Sequence, residues 1–482
     1  MQKKLLILSF IEGAAVMAAE LCGAKLLAPI FGSSLYVWAS VMGITLAALA
    51  IGYFFGGLIS EKSAEPKKKL FQILIIASLL LLLMPVTSYY LIPRISYLSF
   101  LPAVVISTIA LLFFPVFLLG VSSPLFIVLQ IKQNLSPGKA SGTVYAISTL
   151  GGIFATFLSG FYLIPGIGLN ITLLIFGGTL FLSSILVFKL FKVTQALIFI
   201  LFLYLNLQFS FKKINQFMVA DSLLGHLEVE NFVSNKQEVR LLKINSIIQT
   251  EMGVITKRSV SGYIALLDTL VQPIAPSGNA LVLGLGGGLS ANLLIEKKYK
   301  VTGVEFDERI IEASKKYFYL DPSVSAVCED ARYYLNHCDE TFDLVLFDVF
   351  KAEEQPGHIL TMESLEQLKK NLKPDAKVYV NWHGYTNKIL GRGTSILYNT
   401  LVKSGFYVAM YCLSKDENHR NIVFAASLKN NLNGTKSKYQ LKEELAAVNL
   451  VNTDDKPVLE KYNAGANKAW RTNYLRYYQN NQ

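Results

Sequence analysis

Apolar positions fall into two regimes along the chain. Up to residue 213 they run in stretches of helical length: Leu5 to Ile30, Val37 to Ile59, Leu70 to Ile92, Leu101 to Ile131, Ala140 to Ile164, Ile171 to Phe188 and Val193 to Phe211. A bilayer core about 30 Å thick takes about 20 apolar residues per helix, so the pattern predicts about seven membrane spans. The first stretch is too long and too acidic for a cleaved signal peptide. Small residues in GTVYAISTLGG (Gly142 to Gly152) predict close helix packing.

Beyond Gly225 the apolar runs shorten. LEVENFV and VRLLKINSIIQT alternate apolar with polar positions and predict a small antiparallel piece. From Ala280 the pattern becomes strand, glycine loop, helix, then strand and helix again (ALVLGLGGGLSANLLIEKKY, VTGVEFDERIIEASKKY). Further strands are predicted at VSAVCE, FDLVLFD, KVYVNW, YVAMYC and NIVFAAS. Such alternation predicts a mostly parallel, doubly wound, Rossmann-like sheet. The expected organisation is a helical membrane domain over 1–213, a β segment over 214–260 and an α/β domain over 261–482.

Composition sharpens this division. The 482 residues are 52% hydrophobic and only 16% charged, whereas soluble chains carry about a quarter charged residues. This composition argues against a wholly soluble protein and excludes a disordered one. Residues 1–213 hold 14 Lys and Arg against 4 Asp and Glu, while 214–482 hold 31 against 30. The net charge of +11 therefore belongs to the apolar half, which argues against nucleic acid as a partner. Cys22, Cys328, Cys338 and Cys412 lie scattered without a CxxC and indicate neither a disulfide framework nor a metal site.

Basic residues between the spans alternate. Lys3, Lys4, Lys62, Lys67, Lys68, Lys69, Lys132, Lys139, Lys189 and Lys192 fall on one side and Arg94 on the other, which puts the N-terminus in the cytoplasm. Seven spans would leave the C-terminal half outside, away from the cytosolic cofactor argued below. Val193 to Phe211, bracketed by lysines, is therefore read as lying along the cytoplasmic interface. A second route to an even count is re-entry of the fourth segment, broken by Pro115 and by Ser122 to Pro124. The expected location is the inner membrane, with the catalytic domain cytoplasmic. Glu12 and Glu20, with Lys25, form either a structural pairing or a cation-binding vestibule.

Ligands of doubly wound sheets bind at the carboxyl ends of the strands. Gly284, Gly286, Gly287 and Gly288 let the backbone approach a ligand and aim amides at it. Glu305, 21 residues after Gly284, suits the hydroxyls of a ribose. Asp330, before Ala331, either bonds an exocyclic amino group or caps the next helix. Asp348 ends the fourth strand and faces the same crevice; His358 and His383 are alternative proton acceptors. Thr361 with Ser364 reads as a cap. Asp454 and Asp455 either line the acceptor side or fix a turn.

GLGGG at Gly284 to Gly288, VEFD at Val304 to Asp307, EDA at Glu329 to Ala331 and Asp348 resemble the spermidine synthase branch of class I AdoMet-dependent transferases. LLKINSIIQT and SGYIALL resemble its N-terminal strands and lead-in helix. PGHILT (Pro356 to Thr361), TDDKP (Thr453 to Pro457) and AELCGAKLLAPIFGSSLYVW resemble a membrane-fused branch of that family. The resemblance implies decarboxylated AdoMet or AdoMet held by Gly284, Gly286, Gly287, Gly288, Glu305, Asp330 and Ala331. It implies Asp348 and His358 as catalytic groups, and Tyr263, Lys351, His383, Asp454 and Asp455 on the acceptor side.

The departures bear on the reaction. The family usually carries GGGDGG, and Gly287 stands at its aspartate. Lys351 stands at the second aspartate of a DSSDP-like loop, and Ile264 and Ala265 stand where glutamine and glutamate follow the tyrosine. A lysine there repels a diamine, which argues against putrescine. The expected function is a membrane-bound transferase alkylating an amine or other nucleophile. The alternatives are a methyltransferase acting on a membrane acceptor, and a transporter or sensor with a cofactor-binding domain. The expected partners are a small-molecule or membrane-embedded acceptor and membrane lipid, with homo-oligomers left open.

Overall fold

The computed structural model describes residues 2–31, 35–95, 98, 100–190, 193–208, 216–222, 224–234, 237–272, 278–350, 355–418, 420–432, 437–441 and 444–480. They form two compact units, Met1–Ile214 with Ala220–His226 and Asn215–Val219 with Leu227–Gln482.

The first unit is helical: α1 (Gln2–Phe31), α2 (Leu35–Lys62), α3 (Pro66–Tyr90), α4 (Leu101–Ile131), α5 (Pro137–Ile167) and α6 (Leu169–Phe188). Among the described residues these six are long and apolar enough to cross a membrane, against the expected seven. Of the seventh stretch, the described residues form α7 (Val193–Gln208). The fourth segment does not break and re-enter. A π-turn at Ile109–Phe113 precedes Pro115, a second at Ser159–Leu163 precedes Pro165, and the helix continues through each. The wider turn accommodates the carbonyl that proline leaves without a donor.

Small residues set the closest crossings. A Cβ on Gly13 of α1 would lie 2.0 Å from the Ser148 carbonyl oxygen of α5, and one on Gly151 would lie 2.0 Å from that of Phe10. Gly52 and Gly56 of α2 meet the α4 backbone around Phe117 and Val121 in the same manner, a small-xxx-small crossing. Glu12 is buried at the first crossing and accepts from the Ser148 hydroxyl at 3.0 Å.

A four-stranded sheet follows, β1 (Gln216–Ser222), β2 (Gly225–Ser234), β3 (Gln237–Ile244) and β4 (Ile247–Gly253), in sequential order. Asn245 and Ser246, at φ 49° and 65°, turn VRLLKINSIIQT into the β3–β4 hairpin. Helix α8 (Gly262–Leu270) leads into β5 (Asn279–Leu283), β6 (Lys300–Glu305), β7 (Ser325–Cys328), β8 (Phe342–Phe347), β9 (Leu372–His383), β10 (Tyr407–Tyr411) and β11 (Asn421–Ser427).

Their order is β10-β11-β9-β8-β5-β6-β7, with β5 to β9 parallel and the last two strands antiparallel. Both faces are apolar: Leu281, Leu283, Val345 and Phe347 point to one core and Ala280, Val282, Leu344 and Leu346 to the other. Helices α9 (Leu289–Glu296), α10 (Glu308–Tyr317), α11 (Ala331–His337), α12 (Met362–Lys370) and α13 (Arg392–Lys403) connect the strands, and α14 (Leu459–Asn480) ends the unit. Strand order reverses between β5 and β8, which opens the crevice at their carboxyl ends. Neither β1 nor α14 is foreseen by the apolar pattern.

Candidate active site

The glycine loop connects β5 to α9 with Gly284, Gly286 and Gly288 at φ +84°, +51° and +78°, values that disfavour a side chain. A Cβ on Gly284 would stand 2.4 Å from the Asp348 carbonyl oxygen, so glycine lets the ends of β5 and β8 meet. The loop amides have protein partners. Leu285 and Gly286 donate to Glu305 Oε2 at 3.1 and 3.4 Å, and Gly287 donates to Thr250 Oγ1 at 2.7 Å. They satisfy a half-buried carboxylate and a buried hydroxyl.

Glu305, at the end of β6, also accepts from the Asp307 amide at 3.1 Å. Burial raises its pKa, opposed by the three backbone donors. It is held at the mouth of the glycine loop with lone pairs to spare for hydroxyl donors.

Asp330 caps α11, accepting from the Arg332 and Tyr333 amides at 2.9 Å through Oδ1. Its Oδ2 lies 3.6 Å from His358 Nε2. Ala331 is buried in the sheet core. The capping reading of Asp330 therefore holds in this structure, and its second oxygen keeps acceptor capacity.

Asp348 follows β8. The Tyr263 hydroxyl donates to Oδ2 and the Asn381 amide to Oδ1, both at 2.7 Å. Asn381 in turn accepts from Asn421 at 2.9 Å. Burial raises the pKa of Asp348, and the two hydrogen bonds oppose the rise. Burial and the neighbouring carboxylate drive the Tyr263 phenol well above its ordinary value. Tyr263 is accordingly the hydrogen donor of the pair.

His383, at the end of β9, shares the strand face of Asn381. Its ring stacks on Trp470 of α14 at 4.5 Å, with Phe350 at 5.2 Å. His358 sits apart from this group, half-exposed on a short turn over Gly357–Ile359 beside Asp330. Lys351 lies outside the described residues.

PGHILT and TDDKP, far apart in sequence, are brought together. Arg332 donates to the His358 carbonyl oxygen (2.6 Å), the Thr361 hydroxyl (2.9 Å) and both Asp454 oxygens (3.2 and 2.7 Å). Buried Asn452 donates to Gly357 and Leu360 and accepts from Val458 and Leu459. Asp454 is thus an anchor of this junction, its pKa lowered by the Arg332 hydrogen bonds. Asp455 accepts from the Thr453 hydroxyl at 2.8 Å and fixes its own turn. Sequence reasoning missed Asn381, Arg332, Asn452, Thr250 and Trp470. Only Asn381, a polar residue closing an apolar strand, carries a local signal.

Residues 271–390 match the family model of the spermine/spermidine synthase domain. A polyamine aminopropyltransferase of Thermoplasma volcanium is 29% identical over 192 residues, 37% of this chain and 66% of the relative. A probable polyamine aminopropyl transferase of Bifidobacterium longum is 23% identical, covering 36% of this chain and 39% of the relative. An N-terminal histidine N-methyltransferase of Emericella nidulans is 31% identical over 118 residues, covering 23% and 21%. The match thus spans just under two thirds of the first relative's length and well under half of the others'. The solved spermidine synthase of Thermotoga maritima aligns with 16% identity and a TM-score of 0.37, over 52% of this chain and 88% of that one.

Proposed function

We propose that the second unit is a spermidine synthase-type transferase that moves an alkyl group from decarboxylated AdoMet or AdoMet to a nucleophile. The observation that carries this reading is the convergence, at the strand-order reversal, of the glycine loop, Glu305 and half-buried Asp348. The cradle fits a nucleoside: side chains are excluded from the loop by its backbone angles, and an acid stands at the end of the second strand. Gly284, Gly286, Gly287, Gly288 and Glu305 would hold it, with Asp330 Oδ2 toward its base. When bound, the donor supplies a carbon activated by sulfonium: a bond from the acceptor forms as the C–S bond breaks, its electron pair returning to sulfur.

The chain's own residues align and deprotonate. Tyr263 and Asn381 hold both Asp348 oxygens, so the carboxylate is fixed in orientation. Its raised pKa makes it a better proton acceptor than an exposed carboxylate. Calorimetry with AdoMet, decarboxylated AdoMet and methylthioadenosine, followed by mass analysis of the products, tests the reading. Lack of binding by all three would refute it, and methyl rather than aminopropyl transfer would favour the methyltransferase alternative.

The first unit is proposed to span a membrane six times. Its outward faces expose large apolar residues, among them Leu46 (67%), Phe54 (65%), Tyr162 (71%) and Leu186 (72%), a surface poorly suited to water. Six crossings return the chain to the side of its N-terminus, and the lysine distribution makes that side the cytoplasm. Val193–Gln208, exposing Val193, Leu197 and Leu201, then lies in the interface. Labelling of a cysteine introduced at exposed Lys298 by an impermeant reagent in intact cells would overturn this topology.

A further inference from the structure

His358 stands with Asp330, apart from the Tyr263–Asp348–Asn381 network. Asp330 Oδ1 is taken up by the amides of Arg332 and Tyr333, while Oδ2 faces His358 Nε2 at 3.6 Å. That separation is longer than a hydrogen bond, so both atoms keep capacity for a third group. The two side chains are 55% and 39% exposed, and an ion pair so open adds little to stability. The turn that carries His358 is nevertheless tied down by three side chains. Arg332 donates to the His358 carbonyl oxygen at 2.6 Å, and Asn452 donates to those of Gly357 and Leu360 at 2.8 and 3.1 Å. The Gly357 amide donates to Glu460 Oε1 of α14 at 3.2 Å. Such anchoring preorganises an exposed ring for a ligand. Asp330 itself shares the sheet edge of Glu305: Cys328 is the register partner of Glu305, and the Glu329 amide donates to the Glu305 carbonyl oxygen at 3.1 Å.

An ionised carboxylate only accepts hydrogen bonds, and beside it an imidazole favours the tautomer with its hydrogen on Nε2. An acceptor and a donor then stand side by side. That pair complements the edge of a 6-aminopurine, where an amino group lies next to a ring nitrogen. We propose that His358 reads the base of the donor: Nε2–H donates to a ring nitrogen while Asp330 Oδ2 accepts from the exocyclic amine. His358 is then a specificity residue of the donor site, and the proton of the acceptor goes elsewhere. The inference rests on the transferase reading above and deepens its donor half. A 6-oxopurine presents an oxygen where the amine stood, which sets two acceptors against each other at Oδ2.

Calorimetry on the full chain in detergent compares methylthioadenosine with methylthioinosine. Wild type should bind the first about tenfold or more tightly than the second. His358→Ala should weaken methylthioadenosine about tenfold and leave methylthioinosine little changed, so the ratio narrows. His358→Gln, which keeps an N–H donor, should lose only part of it. Methylthioadenosine affinity unmoved in both variants overturns the proposal. So does an equal loss for both nucleosides, which would mean that His358 only shapes the turn. Equal affinity of wild type for the two nucleosides overturns it with the donor reading intact, whereas failure of wild type to bind either one brings down the donor reading and this inference together.

Discussion

Thr250 of β4 lies over the glycine loop: its hydroxyl accepts the Gly287 amide at 2.7 Å, and a Cβ on Gly287 would come 2.6 Å from its methyl group. The space that a longer side chain at Gly287 would need is therefore filled from another strand. Gly287→Asp should destabilise the fold by overpacking, by about 1–3 kcal/mol, and so lower Tm, and Gly287→Asp with Thr250→Ala should recover part of it. An unchanged Tm in the single variant would show that β4 yields freely.

The Tyr263–Asp348–Asn381 network sets a pH dependence. Burial raises the Asp348 pKa, so the acidic limb of kcat/KM should lie above the ordinary carboxylate range. Both hydrogen bonds favour the charged form, so Tyr263→Phe and Asn381→Ala should each move that limb higher. The linked effect on stability has the same origin. With the folded pKa above the unfolded one, stability falls as pH rises from the unfolded value through the folded one, then levels off. A limb that moves down in either variant would refute the assignment.

Asp330 can be separated into cap and ligand roles. Asparagine caps nearly as well as aspartate, whereas Asp330→Ala should cost about 1 kcal/mol of stability. Methylthioadenosine affinity measured by calorimetry should drop in Glu305→Ala by tenfold or more. Asp330→Asn, with its fold intact, isolates the contribution of Oδ2. Full affinity in Glu305→Ala would remove Glu305 from the donor site.

Arg332 and Asp454 join two loops that are distant in sequence. The lowered pKa of Asp454 means that its contribution is present above its unfolded value and is lost as pH falls through the folded one. Arg332→Ala should increase proteolytic cleavage near PGHILT and TDDKP at neutral pH. Asp454→Asn should flatten the acid branch of the Tm curve. Equal protection in wild type and Arg332→Ala would show that Asn452 alone holds the junction.

In the helical unit, Gly151→Leu should unfold or strongly destabilise the α1–α5 crossing, because a Cβ at Gly151 would already meet the Phe10 carbonyl oxygen. Gly142→Ala on the same helix meets nothing within 4 Å and should be neutral or stabilising. Thermal unfolding in detergent separates the two. Equal Tm values would mean that the crossing is not tightly packed in the membrane.

The order and type of most elements were legible because they depend on local pattern. Helical apolar runs, period-two strands and the glycine loop need only neighbouring residues to be recognised, and Glu305 and Asp348 follow as acids at strand ends. Local pattern also misled. Pro115 signals a break that a π-turn absorbs.

What the sequence by itself determined is an apolar helical half joined to a near-neutral doubly wound domain with acids along one sheet edge. Only the tertiary structure decided which side chains meet: Tyr263 with Asp348, Thr250 with Gly287, Arg332 with Asp454, His383 with Trp470. The reason is physical. Backbone propensity acts over a few residues, whereas these contacts close loops of 37 to 122 residues for hydrogen-bonded pairs. Such contacts exist only once burial of the two sheet faces has fixed the strand order.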